Sequence, residues 1–408
     1  PPPPPPPPLV ARRANRRQPR HPDRAHFGPM TSSSQGSGEP ARRSWLLSPE
    51  GWPYVLVPLI PAAVVLEFAH ADAVVIFFVS ALGIVPTAAL MGKATEELAS
   101  KSGPGIGGLL NVTFGNAPEL IIAFFALLAG LQEVVKASII GSIIGNILLV
   151  LGAAMFVGGL GRERQLFSRT AAGAQSAMLM LAMTALVMPA VYQLVAGGGL
   201  PGVNAERIDF GSTVEHLSAA VAIVLIVSYG AGLVFSLKTH RALFNPPYEE
   251  AEETSDWSVR KCVAALAVAG VLVGLMSEIL VGSIGEAASS VGLSEFFIGA
   301  IVVAIVGNAA EHWVAVLVAR KDKMDLSVNI AIGSSAQIAL FVAPVLVLAS
   351  FIFGPGPMPL VFNGFELAAL VLAVVIANQV TSEGESNWFE GVQLLGVYLI
   401  LALAFGFA

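Results

Sequence analysis

Apolar residues in this chain come in long unbroken runs, not in the narrow stripe of a surface helix. Eleven such runs lie near 52–69, 72–95, 105–131, 134–159, 170–197, 214–237, 259–282, 295–319, 327–353, 362–381 and 387–407. Most reach the roughly 20 residues that an α-helix needs to cross a bilayer core of about 30 Å. Inside lipid a spanning segment has to satisfy its own backbone hydrogen bonds, so each run is predicted to be helical. The first two are parted only by the turn Ala69-His70-Ala71-Asp72. The predicted fold class is an all-α multi-pass membrane protein with about 11 transmembrane helices.

Residues 1–50 read differently. Pro1–Pro8 is followed by Arg12, Arg13, Arg16, Arg17, Arg20 and Arg24, then by the polar stretch Thr31–Gly38. This tail has too little apolar surface to bury and is expected to be disordered. Met30 reads as a translation start, and no signal-peptide core is read ahead of the first span.

Composition agrees with a membrane protein. Hydrophobic residues make up 55% and charged residues 12% of the chain, and the mean hydropathy is +0.74; soluble domains carry about 25% charge. The single cysteine, Cys262, rules out an internal disulfide. The positions of the cations set the predicted orientation. With a cytoplasmic N-terminus, the inner segments carry Lys93, Lys101, Arg162, Arg164, Arg169, Lys238, Arg241, Arg260, Lys261, Arg320, Lys321 and Lys323. The outer segments carry only Lys136 and Arg207. That asymmetry is the positive-inside pattern. Short loops and an alanine- and leucine-rich composition point to a prokaryotic inner (plasma) membrane, with a vacuolar membrane as the eukaryotic equivalent. Trp52, Trp257 and Trp388 fall at predicted helix ends and read as interfacial anchors.

Two strings inside these runs carry the chemistry. Gly115-Asn116-Ala117-Pro118-Glu119 recurs 192 positions later as Gly307-Asn308-Ala309-Ala310-Glu311. Gly141-Ser142 and Gly333-Ser334 follow at the same offset. A carboxylate in an apolar span is expensive and marks a functional site. Two in one frame mark an internal repeat. The motifs fall in the third and eighth helices, an odd number of crossings apart, so the two copies run in opposite directions. This predicts helix 1 plus two inverted five-helix repeats, the plan of secondary transporters with a midplane site. The domain reading is a tail at 1–50, helix 1 and the first repeat at 51–237, a linker at 238–258 and the second repeat at 259–408. The linker holds Glu249, Glu250, Glu252, Glu253 and Asp256; it reads either as solvated chain or as a weak cation-collecting patch.

Asn116 and Glu119 are three apart, as are Asn308 and Glu311, so amide and carboxylate share a helix face. Gly115 and Gly307 permit close helix approach. Pro118 frees the carbonyl of Phe114 if the helix is regular there. Ser142, Ser334 and Gln337 add polar groups on neighbouring helices. This oxygen-rich, thiol-free set suits Ca²⁺, Mg²⁺ or Mn²⁺. Two glutamates neutralise one divalent cation. Without a cation, burial favours the protonated carboxyl, so cation and proton compete for one coupled pair.

The strings GNAPEL and GNAAEH, with GSIIGN and GSSAQIALF downstream, resemble the repeat signatures of the cation/proton exchangers in the calcium/cation antiporter superfamily, across roughly residues 53–407. Sodium/calcium exchangers of that superfamily usually carry serine- or threonine-rich variants with aspartate in one copy. Here both copies keep glutamate, and His312 follows Glu311, which resembles the proton-coupled branch. The resemblance implies exchange of Ca²⁺ for H⁺ across the bilayer. It makes Glu119 and Glu311 the central metal ligands, Asn116 and Asn308 their neighbours, and Ser142, Ser334 and Gln337 the polar shell. Gly145 stands where the second copy has Gln337. Glu96, in ATEEL, resembles a family position near the ion path.

The remaining candidates stay open at this level. His312 is about 100° around the helix from Glu311 and reads equally as a proton relay or a packed histidine. Glu96 reads as part of the ion path, against an interfacial ion pair with Lys93 or Lys101, and Glu97 reads as such a pair. Glu278 is a candidate for the outer route, while Glu286 and Glu295 are expected in an outer loop. No Walker lysine motif, nucleophile–base set, cofactor site or nucleic-acid patch is present. The rival readings are a Na⁺ or K⁺/H⁺ antiporter of the same fold, a passive channel, or a membrane enzyme.

Overall fold

The computed structural model describes residues 51–102, 107, 109–110, 113–203, 210–240 and 257–408. The proline- and arginine-rich tail, Arg207 and the acidic linker residues lie outside the described residues.

A 3₁₀ turn, Trp52–Leu56, leads into α1 (Leu59–Phe68). The first repeat region then holds α2 (Ala73–Lys101), α3 (Ala117–Leu128), α4 (Gln132–Gly159), α5 (Arg169–Val195) and α6 (Ser212–Thr239). The second holds α7 (Val259–Val291), α8 (Glu295–Arg320), α9 (Met324–Ser350), α10 (Gly364–Thr381) and α11 (Trp388–Gly406). Nine of these are long and apolar enough to span a membrane among the described residues; α1 and α3 are shorter apolar helices. The protein is a helical multi-pass membrane protein.

Several boundaries differ from expectation: α2 runs on to Lys101 and α3 begins only at Ala117. The seventh helix continues nine residues past Gly282, to Val291. Its extension buries Ser283, Ile284, Ala287 and Ala288 on one face, and it ends only at Gly292, which takes a left-handed conformation at φ 70°. Glycine adopts that conformation without a Cβ clash and closes the helix. Glu286 is therefore an exposed helical residue, and Glu295 starts α8; neither lies in a loop.

The connections sort onto two faces. Arg162 of the α4–α5 loop donates to the Arg320 carbonyl at 3.1 Å and lies 3.4 Å from Asp322. Arg164 pairs with Glu385 at 3.0 Å, and strand β1 (Gln165–Leu166) pairs antiparallel with β2 (Glu385–Ser386). On the other face, Gln132 donates to the Gly356 carbonyl at 2.8 Å and Leu360 N–H donates to Ser218 at 2.9 Å. The loops expected inside meet one another, and so do the loops expected outside.

The centre belongs to α4 and α9, which are repeat equivalents. They bury 83% and 78% of their apolar stretch, against 17% for α6 and 22% for α11. Gly141 lets α4 touch the backbone of Ala300 in α8, where no side chain would fit.

Candidate cation-binding site

The two motifs are shaped differently. Asn116 leaves helical geometry (φ −98°, ψ 21°), and α3 starts directly after it, with Pro118 in its first turn. The helix is not regular across the motif. Pro118 sits where its missing N–H is not needed, so the expected release of the Phe114 carbonyl by proline does not apply. In α8 the helix runs unbroken from Ala304 through Glu311. The second copy therefore has no break at its motif, and instead a π-helical stretch, Ile298–Val303, precedes it. Further π-helical stretches at Gly145–Val150 in α4 and Ile338–Val342 in α9 stand at repeat-equivalent positions, just beyond the serine motifs. Such insertions re-aim side chains and cluster at functional sites.

The polar groups pair across the repeats. Ser334 donates to Asn116 Oδ1 at 2.7 Å, and Asn308 Nδ2 donates to Ser142 at 3.0 Å. Each asparagine thus meets the serine of the other half, and the two contacts are equivalents under the 192-residue shift. The glutamates cross in the same way. A Cβ built on Gly115 would lie 3.4 Å from Glu311 Oε1, and one on Gly307 would lie 3.6 Å from Glu119 Oε1. The motif glycines are the clefts that receive the opposite carboxylates.

One residue breaks this symmetry. Asn116 Nδ2 donates to Gln337 Oε1 at 2.6 Å, which turns the Asn116 oxygen toward Ser334. The first half has Gly145 in that place, with open space around it. Asn308 is free to turn the other way, and its Nδ2 donates to the Ala304 carbonyl at 2.9 Å and to Ser142. That orientation leaves Asn308 Oδ1 buried without a hydrogen-bond partner. Glu119 Oε2 is likewise buried and unpartnered. Buried polar atoms are nearly always satisfied, so two orphaned acceptor oxygens in one site fit a hard cation or a proton. Beside Glu119, Ser142 and Gly307 lies a cavity of about 10 Å³, about the smallest that holds one water.

His312 faces Asn146 Oδ1 at 2.9 Å, on the Glu311 side of the site. The equivalent positions in the other half are Leu120 and Ile338, so that layer is apolar. Asn146 was foreshadowed only by its spacing four residues after Ser142, and its pairing joins α4 to α8. Ser335, which donates to the Ile143 carbonyl at 3.3 Å, carried no signal of its own. Glu96 is exposed near the end of α2 and Glu278 is exposed on α7; neither lines the cavity. Trp52 packs edge-on against Trp313 at 5.7 Å, and Trp257 lies under the Lys261 ammonium at 4.1 Å.

A model of the family described as sodium/calcium exchanger protein matches residues 72–238 and 261–407. The chain belongs to this family. Within it, this exchanger-family chain is 45% identical over 369 residues to the Ca(2+)/H(+) antiporter of Aphanothece halophytica, covering 86% of this chain and 95% of that protein. It is also 45% identical over 350 residues to the Ca(2+)/H(+) antiporter ChaA of Bacillus subtilis (strain 168), covering 85% and 96%. The solved structure of native YfkE superposes with a TM-score of 0.73 at 41% identity, covering 87% of this chain and all of that one. The relationship lies with the proton-coupled members, as the paired glutamates implied.

Proposed function

We propose that this protein exchanges Ca²⁺ for protons by alternating access, with Glu119 and Glu311 as the shared binding groups. The observation that carries the reading is the pair of orphaned oxygens, Glu119 Oε2 and Asn308 Oδ1, buried where the two inverted motifs cross. The names of the relatives support the same ion pair.

In this reading Ca²⁺ sits between the two carboxylates and takes further oxygens from Asn308 and water. Asn116 is held by Gln337 and Ser334 and braces the site. Ser142 accepts from Asn308 and retains a proton to donate. When the cation leaves, two carboxylates facing each other in a dry site are neutralised by protons. Each loaded form crosses; an empty, doubly charged form is held back by its own repulsion and desolvation. Glu119 opens on the small cavity on the strand-free face, and Glu311 lies toward the polar His312–Asn146 layer on the other. His312 serves the inner route, with Glu96 at its mouth and Glu278 on the outer half of α7. The clustering of Arg162, Arg164 and Arg320 on one face supports a cytoplasmic location for that face and for the N-terminus. The bacterial relative supports a plasma membrane.

The test is radiolabelled Ca²⁺ uptake into proteoliposomes with an acid interior, comparing wild type with Glu119→Gln and Glu311→Gln. Gradient-dependent uptake that both substitutions abolish is expected. Gradient-driven Na⁺ or K⁺ flux without Ca²⁺ uptake would keep the site and overturn the ion.

A further inference from the structure

Away from the cation site the protein buries a second group of charges. Lys136, in the second turn of α4, is 1% exposed. Its ammonium lies 2.6 Å from Glu133 and donates to the Val361 carbonyl at 2.8 Å. Glu366, fully buried in the first turn of α10, caps that helix together with Asn363, the last residue of the segment that carries Val361. One of its oxygens accepts from Asn363 N–H at 2.8 Å and the other has no partner. A buried ammonium needs such neutralisation to persist. The repeat-equivalent residue is Val328, so the framework common to both halves does not require a lysine here.

Val361 belongs to the connection between α9 and α10, residues 351–363. This segment lies across the α3–α4 turn. Gln132 binds its Gly356 carbonyl at 2.8 Å, Phe353 meets Phe124 at 5.5 Å between ring centres, and a Cβ on Gly354 would lie 2.7 Å from the Leu127 carbonyl oxygen. Leu127 is one helical turn beyond Ala123, and Lys136 is one turn beyond Ile139. Ala123 and Ile139 both line the cavity beside Glu119. The segment therefore sits one layer beyond that cavity. The equivalent connection on the opposite face, residues 160–168, is held by the β1–β2 pairing and by ion pairs that reach solvent, Arg162–Asp322 at 32% and 65% exposed and Arg164–Glu385 at 64% and 43%.

We propose that Lys136 is the positioning residue of a strap, residues 351–363, that closes the route to Glu119 from this face of the membrane. The proposal rests on the alternating-access reading above. Opening the route requires the strap to lift from the α3–α4 turn, which breaks the Lys136–Val361 and Gln132–Gly356 bonds, and the Leu360–Ser218 bond if the lift reaches α6. Glu133 stays with the ammonium whether or not Val361 does. Release therefore gives up one charge-assisted hydrogen bond and leaves no unpaired buried charge. A latch of that kind holds firmly and still lets go.

The test places a cysteine at Ala123 in a Cys262→Ala background and measures labelling by a membrane-impermeant maleimide in sealed vesicles of both orientations. Lys136→Met removes the ammonium and keeps the stem. It is expected to speed labelling from the strap side about ten-fold, equivalent to about 1.4 kcal/mol, and to leave labelling from the opposite side unchanged. An unchanged rate, or equal acceleration from both sides, would overturn the proposal. Should Lys136→Met not insert stably, Gln132→Leu removes the second tether without exposing a charge, and its failure to speed strap-side labelling overturns the proposal equally. Labelling requires no transported ion, so its outcome is separate from the assignment of Ca²⁺.

Discussion

Replacing Gly141 with alanine tests whether the contact between α4 and α8 holds the cation site together. A methyl built there would clash first with the Ala300 carbonyl oxygen, and would lie 2.6 Å from the carbonyl carbon and 2.7 Å from the Cα of Ala300, all backbone atoms that cannot swing aside. Ordinary carbon contacts begin near 3.5 Å, so the carbonyl carbon alone requires the helices to part by at least about 0.9 Å. The neighbouring bond from Asn308 to Ser142 spans 3.0 Å, and that shift stretches it to about 3.9 Å, beyond hydrogen-bond reach. Overpacking costs about 1–3 kcal/mol, and a buried amide left unpaired costs about 1–3 more. The expected loss is about 2–6 kcal/mol. The repeat-equivalent Gly333 is the control. Its Cβ would lie 3.1 Å from Gln175 Nε2, the end of a flexible side chain, so Gly333→Ala should cost under about 1 kcal/mol. Both substitutions gain the same helix propensity of about 1 kcal/mol, which cancels in the comparison. Thermal unfolding of the detergent-purified variants reads the stability difference. Exchange in proteoliposomes should fall about ten-fold or more for Gly141→Ala alone. Equal melting and equal flux for the two variants would refute the reasoning.

Gly145→Gln should give Asn308 the partner that Asn116 already has, turn its amide and occupy the free oxygen. The apparent KM for Ca²⁺ should then rise about ten-fold, measured by flux against Ca²⁺ concentration. The double variant His312→Leu, Asn146→Ile makes the inner layer as apolar as its Leu120–Ile338 counterpart; it should fold with unchanged melting and exchange several-fold more slowly. Lower pH on the loading side should raise the KM for Ca²⁺, because protons compete for the same carboxylates. The slope should approach ten-fold per pH unit for each proton that must leave, and a KM that does not change with pH would refute the competition.

The spans were legible because unbroken apolar runs leave few alternatives to helices, and the site was legible because Glu119 and Glu311 have no bland reason to recur in one frame. The pairing was not. Ser142 follows Asn116 by one helix, and sequence proximity suggests that they act together. The inverted crossing instead gives Ser142 to Asn308 and Ser334 to Asn116, a swap that only three-dimensional packing decides. The break at Asn116 was not legible because Pro118, two residues on, looks like the breaker, yet proline is comfortable in a first turn. Val291 was missed as a helix end because the extension past Gly282 is amphipathic, not apolar. Lys136 counted as an outer charge in the orientation argument, although it is buried beside Glu133; a lone lysine in a sequence does not announce its partners.

Ser335 and Ile143 touch, and they are each other's equivalents under the 192-residue shift. In an assembly of two identical half-length chains crossing in opposite directions, the residue on the two-fold axis meets its own copy. Serine must then face serine, or isoleucine face isoleucine. Such an assembly also has no top or bottom, because its axis lies in the membrane plane. Fusing the halves into one chain lifts both restrictions. Each position is then free to differ from its equivalent, as Gln337 does from Gly145 and His312 from Leu120. The single chain thereby has a polarity across the membrane that an assembly of identical halves cannot possess.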